Sequence, residues 1–241
     1  DWGQSYFLQT TVLDAIGEYF VPTFSLAVFA QLISLVIAVP MGILAAYKRG
    51  TSVDIITVSI SLLGIAIPGF LLSMFLMLFF GVHLKWLPVA GYVQLSQGLL
   101  EHLRYLLLPA LSLGIVQAAY ITRMSRSAML DVLYMNYIRT ARAKGLKESA
   151  VVLVYGLKNA GPTILTVAGQ SFGSLVTGTI VTETLFNIPG LGMLTMTSIT
   201  RRDVFVIQGV VLFVTLIYVL VNLAVDILYG FVDPRIQLGN K

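Results

Sequence analysis

Few residues in this chain have the means to do chemistry. Gly169-Gln-Ser-Phe-Gly173 matches Gly-x-Ser-x-Gly, the elbow that presents a serine nucleophile to a histidine base. That elbow needs a strand-turn-helix setting, whereas Ser171 falls inside an apolar run. The only histidines, His83 and His102, lie in or beside a different loop. The same residues form a Gly-x-x-x-Gly pair, which lets two helix backbones approach closely. Ser174 and Gly178 continue the small-residue pattern, so Gly169, Gly173 and Gly178 are expected to pack against a partner helix. Glu183 and Asp226 stand near the ends of apolar runs. Ionisable groups so placed can couple transport to protons or ions; alternatively they stay hydrated or bond to backbone at a loop. Neither histidine is followed by a second ligand at metal-site spacing. Cysteine is absent, which excludes disulfides, zinc–thiolate sites and cysteine nucleophiles. None of the 21 glycines precedes a lysine and no two are adjacent, so the chain has neither a Gly-x-x-x-x-Gly-Lys phosphate loop nor a glycine-glycine ATPase signature. No catalytic, cofactor-binding or metal-ligating residue is therefore assigned, and the chain is not expected to be an enzyme itself.

The elements that must position these residues are membrane helices. Of 241 residues, 57% are apolar and only 11% charged, against about 25% charged in an average soluble domain. The charges are also clustered. Uncharged stretches of 29, 30, 18, 24 and 22 residues follow Glu18, Asp54, Arg104, Lys158 and Asp203. About 20 apolar residues cross a bilayer as a helix, so five spans are expected, near 22–46, 55–82, 104–122, 163–186 and 205–229. If the first runs from outside to inside, 11 Lys and Arg residues fall inside and 4 outside. Basic residues collect in cytoplasmic loops, and loop 123–162 decides this orientation. The net charge of +4 thus reflects topology rather than nucleic-acid binding. Residue 1 is then external and Lys241 cytoplasmic. The first twenty residues carry no Lys or Arg and no signal-peptide pattern, so a further span is expected upstream of the sequence given.

Pro40, Pro68 and Pro109 fall within or at the ends of apolar runs, where membrane helices tolerate the lost hydrogen bond. Ile67-Pro68-Gly69 predicts a kink or break in the second span, which either serves alternating access or fits the bundle. Residues 128–148 predict an amphipathic helix with Leu130, Leu133, Tyr137 and Ala141 along one face. Arg139, Arg142 and Lys144 occupy its last turn, where cations suit the helix dipole. Gly145 follows, where a left-handed residue commonly ends a helix. A second short helix is expected from about Glu148 to Lys158, with Pro162 opening the next span. A few residues would suffice to connect two spans. A helix-Gly-helix of this length therefore either binds a cytoplasmic partner or rests on anionic headgroups.

Three passages resemble the permease subunits of ATP-binding-cassette importers, in the dipeptide, oligopeptide and nickel branch. The first is Tyr137-Ile-Arg-Thr-Ala-Arg-Ala-Lys-Gly-Leu146, with Leu157-Lys-Asn-Ala160 and Pro162. It is similar to the Glu-Ala-Ala…Gly loop by which such permeases dock on their ATPases. Ala141 and Gly145 match that motif, while Arg139 and Thr140 replace Glu and Ala. The second is Glu183-Thr-Leu-Phe-Asn-Ile-Pro-Gly-Leu-Gly192, continuing to Arg202-Asp203 and Gln208-Gly209; the third is Val225-Asp-Ile-Leu-Tyr-Gly, ending in Val232-Asp-Pro-Arg-Ile236. Asp1-Trp-Gly-Gln-Ser5, Pro40-Met-Gly42, Trp86-Leu-Pro88 and Gly91-Tyr92 are also similar, so the likeness covers nearly the whole chain.

The resemblance implies an all-α membrane protein of type I importer permease fold: one permease domain over 1–241, an external segment 1–21, a docking loop 123–162 and an external loop 187–203. It implies ATPase docking through Tyr137, Arg139, Thr140, Ala141, Arg142, Ala143, Lys144, Gly145 and Leu146. Asn187, Ile188, Pro189, Gly190, Leu191 and Gly192 are expected to contact a binding protein or line an external gate. The implied partners are a second, non-identical permease, two ATPase subunits holding ATP and magnesium, and an external substrate-binding protein. The implied setting is the inner membrane of a prokaryote. Expected cargo is a peptide or related small solute, including a nickel complex. The competing expectation is a self-sufficient secondary transporter using Glu183 or Asp226.

Overall fold

The computed structural model describes residues 2–232, all of whose regular structure is helical apart from one isolated bridge between Gln4 and Thr11. The chain termini beyond these residues, including Asp1, Lys241 and the Asp233-Pro-Arg-Ile236 part of the third passage, lie outside the described residues. Ten α-helices follow in order among these residues: α1 (Val12–Tyr47), α2 (Ser52–Ala66), α3 (Gly69–Leu76), α4 (Leu99–Leu133), α5 (Asn136–Ala143), α6 (Glu148–Ala150), α7 (Leu157–Gly178), α8 (Ile180–Leu185), α9 (Leu191–Arg201) and α10 (Val204–Val232). Wider π turns extend α3 through Met77–His83 and join α6 to α7 through Val151–Gly156.

Four helical runs among the described residues are long and apolar enough to cross a membrane: Val12–Tyr47, Leu99–Leu133, Glu148–Gly178 and Val204–Leu228. A fifth is formed by Ser52–Ala66 and Gly69–His83, bent by 98° at the break. The break falls where Ile67-Pro68-Gly69 predicts it. Proline disfavours helical geometry in the residue before it and cannot donate to the preceding turn. Pro109 and Pro162, by contrast, lie inside α4 and α7. There the Ser112 hydroxyl donates to Pro109 O at 2.8 Å, and the Thr166 hydroxyl to Pro162 O at 3.1 Å.

Helix boundaries depart from the expected ones in several places; the span expected to end at 122 runs on to Leu133, and the one expected to reach 186 breaks after Gly178. Helix α1 begins at Val12, well before position 22, so half of the expected 1–21 segment is helical. The span expected to open at Pro162 instead continues unbroken from Glu148. The amphipathic helix expected over 128–148 is two helices, because Met135 is extended (ψ 150°) between α4 and α5. That extended residue rotates the buried face. Leu133 is buried as expected, but Ile138 rather than Tyr137 is the fully buried residue after it, and Tyr137 is exposed.

The chain forms two compact units. The first comprises residues 1–33, 67–114 and 172–221; the second comprises 34–66, 115–171 and 222–241. The first has two apolar cores. Leu26, Leu106, Leu108, Phe186 and Ile188 centre one; Val12, Ile16, Leu191 and Val206 centre the other. In the second unit, Met129, Leu133, Ile138, Val151 and Val152 form a core beneath α5, and Ala38, Ala118, Ile121 and Val167 form another.

Close helix packing occurs at two of the three glycines expected to provide it. A Cβ on Gly169 would strike the Val225 side chain, and one on Gly173 would lie 2.9 Å from the Tyr218 ring, so both press α7 against α10. Gly178 is different. It ends α7 and has open space around it, with nothing within 4 Å of where its Cβ would stand.

Candidate functional site

In the first unit, Glu183 is wholly buried on α8, and its carboxylate accepts four hydrogen bonds. The hydroxyls of Thr23 and Thr179 each donate to Oε1 at 2.7 Å. The backbone amides of Gly192 and Met193 donate to Oε2 at 2.7 and 3.1 Å. Those amides belong to the first turn of α9, where helix N–H groups lack intrahelical partners and favour a negative charge. A third amide of that turn, Leu191 N–H, donates to Thr23 Oγ1 at 2.8 Å. Glu183 and Thr23 thus cap α9 jointly, from α8 and α1.

This knot explains the spacing Glu183…Gly190-Leu-Gly192. A Cβ on Gly190 would run into the Glu183 carboxyl group and come within 2.5 Å of Thr23 Oγ1. One on Gly192 would stand 2.5 Å from Ile180 Cα and 2.8 Å from Glu183 Oε2. Asn187 adopts a left-handed conformation (φ 51°), and Ile188 N–H returns to Glu183 O at 2.8 Å, closing the turn. Of the predicted loop residues, Ile188, Leu191 and Gly192 are buried and Asn187 and Pro189 are not; Gly190 lies against the carboxylate. Glu183 therefore bonds to backbone at a loop and its oxygens are committed there. Asp226 is exposed on α10. The secondary-transporter reading loses its better-placed coupling group.

A second buried carboxylate ties the N-terminal segment to the same unit. Asp203 Oδ2 accepts from Ser5 Oγ at 2.6 Å and from Phe7 N–H at 3.2 Å, and its Oδ1 faces Val206 N–H in the first turn of α10. Burial raises the Asp203 pKa, but these hydrogen bonds outweigh it and hold the carboxyl below the ordinary aspartate value. Arg201 sits over the Phe7 ring, 4.5 Å from its centre.

In the second unit, α5 ends in a Schellman turn. Gly145 is left-handed (φ 75°), its N–H donates to Arg142 O at 2.9 Å, and Leu146 N–H reaches back to Ala141 O at 3.4 Å. Arg142 then bridges the turn to Glu148, Nη2 to Oε1 at 2.7 Å, and this hydrogen bond raises its already high pKa. Ile138 and Ala141 plug into the core with Val151 and Val152. Arg139, Thr140, Arg142, Ala143, Lys144, Gly145 and Leu146 are exposed, as is Tyr137. Of the residues expected to dock on an ATPase, all but Ala141 thus form one outward hook, while Ala141 is part of its apolar base.

Sequence reasoning missed a clamp in the same unit. Asp54, at the start of α2, receives Arg126 of α4 in a two-pronged ion pair, Nε to Oδ1 at 2.5 Å and Nη2 to Oδ2 at 2.9 Å, and also accepts Gly50 N–H at 3.0 Å. Asp54 marks the edge of an uncharged run, but nothing in the sequence names its partner 72 positions away. Ser171 is buried in α7, a helix and not an elbow. His102 Nδ1 lies 2.6 Å from Val93 O, and His83 stacks near Phe79.

Comparison with known proteins agrees with this architecture. A family model described as "Binding-protein-dependent transport system inner membrane component" matches residues 38–238. A peptide ABC transporter permease protein of Sinorhizobium fredii is 40% identical over 237 residues, covering 98% of this chain and 76% of the relative. A peptide transport system permease protein of Brucella suis is 42% identical with the same coverage. The glutathione transport system permease protein GsiC of Escherichia coli K12 is 39% identical, covering 98% and 75%. Among solved structures, the MetNI methionine ABC transporter in an inward-facing conformation aligns with a TM-score of 0.74 at 19% identity, over 91% of this chain and 96% of that one, and so shares the fold. The chain belongs to the binding-protein-dependent transport system inner membrane components, as a permease subunit of an ATP-binding-cassette importer.

Proposed function

We propose that this subunit forms half of the translocation path for peptides or a related small solute delivered by an external binding protein. Its cycle is alternating access, driven by ATP hydrolysis on two partner ATPase subunits. A second, non-identical permease supplies the other half. The relatives named for peptide and glutathione transport support the cargo class. In this reading residue 1 and loop 187–203 face outward, the hook faces the cytoplasm of a prokaryote, and the C-terminus is cytoplasmic. The 11-to-4 excess of basic residues supports that orientation.

The observation that carries the coupling role is the hook. Its exposed residues, Arg139, Thr140 and Arg142 to Leu146, add nothing to the connection between α4 and α7, yet Ile138 and Ala141 fix them to a core shared with both flanking helices. A push on this hook is transmitted to α4 and α7 without a flexible link. The knot at Glu183 gives loop 187–203 comparable rigidity, which suits it to a gate or a binding-protein contact.

The test is recovery of the tagged full-length chain from gently solubilised native membranes, beside Leu146→Glu. Leu146 is exposed and apolar, so the substitution spares the core. The native chain should bring down an ATPase and a second permease in stoichiometric amounts, and the variant should lose the ATPase alone. A chain recovered by itself under conditions that preserve known complexes would overturn the proposal.

A further inference from the structure

The first unit contains a groove of about 200 Å³ between the ends of α7 and α8 and the bodies of α9 and α10. Its walls are apolar, with Ile180, Val211 and Val214 prominent, and Thr177, Thr195 and Thr215 open onto it. Thr215 is the only serine or threonine in α10, on a helix whose other exposed residues include Leu212, Leu216, Val219 and Leu220. Leu191 and Gly192 line the groove's edge, so the Glu183 knot fixes its shape.

A threonine hydroxyl has one proton to donate and two lone pairs to offer. Here every proton is committed. Thr195 donates to Leu191 O and Thr215 to Val211 O, both at 2.7 Å, and Thr177 shares its proton between Gly173 O and Ser174 O at 3.2 Å each. A fourth lining hydroxyl, on buried Thr179, donates to Glu183. What the three open hydroxyls present to the groove is therefore lone pairs. Among the described residues, no Lys, Arg, Asp or Glu lines it. The groove is built to accept N–H groups without binding them as tightly as a carboxylate would. Lipid acyl chains offer no such groups.

We propose that the Thr177–Thr195–Thr215 groove is a subsite of the translocation path that accepts N–H groups of a passing peptide, its backbone amides or α-ammonium, by hydrogen bonds to these three oxygens. The proposal rests on the peptide-importer reading above. Acceptors held by their own helices match any peptide regardless of side chain, and their neutrality lets the cargo leave.

The chain has no cysteine, so single substitutions report accessibility without background from this subunit. Thr195→Cys and Thr215→Cys, each in the full complex in proteoliposomes, are treated with a charged methanethiosulfonate, with Leu220→Cys on the opposite side of α10 and the unaltered complex as controls. Both threonine positions should be modified, peptide should slow modification several-fold, and Leu220→Cys should stay inert. In parallel, Thr195→Val with Thr215→Val should raise the KM for peptide uptake about tenfold, the worth of one ordinary hydrogen bond, while the matching serine pair restores it. Inert cysteines at 195 and 215 in both nucleotide-free and ATP-bound complexes, or an unchanged KM in the valine pair, would overturn the groove while leaving the importer reading intact. An unaltered, fully assembled complex that moves no peptide would overturn the reading itself, and the peptide identity of the ligand with it.

Discussion

Replacing Glu183 by alanine removes the acceptor of four hydrogen bonds at a site with no access to water. The four donors do not suffer equally. The Thr23 hydroxyl can turn to Tyr19 O, already 3.4 Å away, and a threonine in a helix can usually find its own upstream carbonyl. The Gly192 and Met193 amides cannot turn. Each orphaned buried amide costs about 1–3 kcal/mol, so Glu183→Ala should destabilise the complex by about 2–6 kcal/mol. Glu183→Gln keeps the shape. Its carbonyl can face the two amides while its NH₂ donates to the threonine oxygens, leaving a loss of about 1–2 kcal/mol from the missing charge. The assay is the thermal midpoint of the purified complex, followed by size-exclusion chromatography after heating, with uptake measured per complex recovered. Alanine should lower the midpoint far more than glutamine does, and Glu183→Gln should still transport. An alanine variant as stable as the native complex would refute the capping argument. A glutamine variant with a normal midpoint and no uptake would instead mark Glu183 as a proton-coupling group.

Three other outcomes follow from the same geometry. Gly145→Val forces a β-branched residue into a left-handed conformation that costs an ordinary residue about 1–2 kcal/mol; no neighbour lies within 4 Å to clash with it, so the hook should distort while the spans insert normally. Substrate-stimulated ATP hydrolysis should fall, and normal stimulation would count against the hook as the coupling element. Gly192→Ala should prevent recovery of folded complex, because its Cβ meets the α8 backbone at Ile180; a monodisperse elution peak at native yield would contradict this. Asp203 has a folded pKa below its unfolded value of about 3.9, so its stabilisation is present above that value and is lost as pH falls through the folded pKa. Between about pH 5 and 3 the native complex should lose thermal stability more steeply than Asp203→Asn, and parallel slopes would show that the Ser5–Asp203 latch is not responsible.

Long-range pairing separates what the sequence discloses from what it hides. The spans and the Pro68 break are legible because each rests on a local property: an uncharged run or a proline. The left-handed Gly145 is legible for the same reason. Helical spacing puts Tyr137 on the apolar face because it assumes that the helix continues, whereas one extended residue at Met135 turns the face toward Ile138. Gly178 fits the same small-residue pattern, yet among the described residues nothing lies within 4 Å of where its Cβ would stand, since the pattern records residue size and not what lies opposite. The four donors to Glu183 come from positions as far away as Thr23, 160 residues earlier. The clue available in sequence was a pair of glycines at 190 and 192 shortly after an acidic residue, the composition expected where backbone must approach a side chain closely. Asp54 with Arg126 and Ser5 with Asp203 left no comparable sign.

Those two latches also count crossings. A hydrogen bond keeps both partners on the same face of a hydrocarbon layer about 30 Å thick, so the chain between them must traverse it an even number of times. Ser5 and Asp203 are 2.6 Å apart. Between them run Val12–Tyr47, Leu99–Leu133 and Glu148–Gly178, three unbroken helices long enough to cross. Parity requires a fourth, and only the bent pair Ser52–Ala66 and Gly69–His83 remains. The Asp54–Arg126 pair obeys the same parity: from Asp54 to Arg126 the chain passes through the bent pair and then α4, which is even only if the pair crosses. The 98° bend is thus a corner within one traverse and not a turning back. Were the chain to return at Pro68, Ser5 and Asp203 would face each other across the whole bilayer.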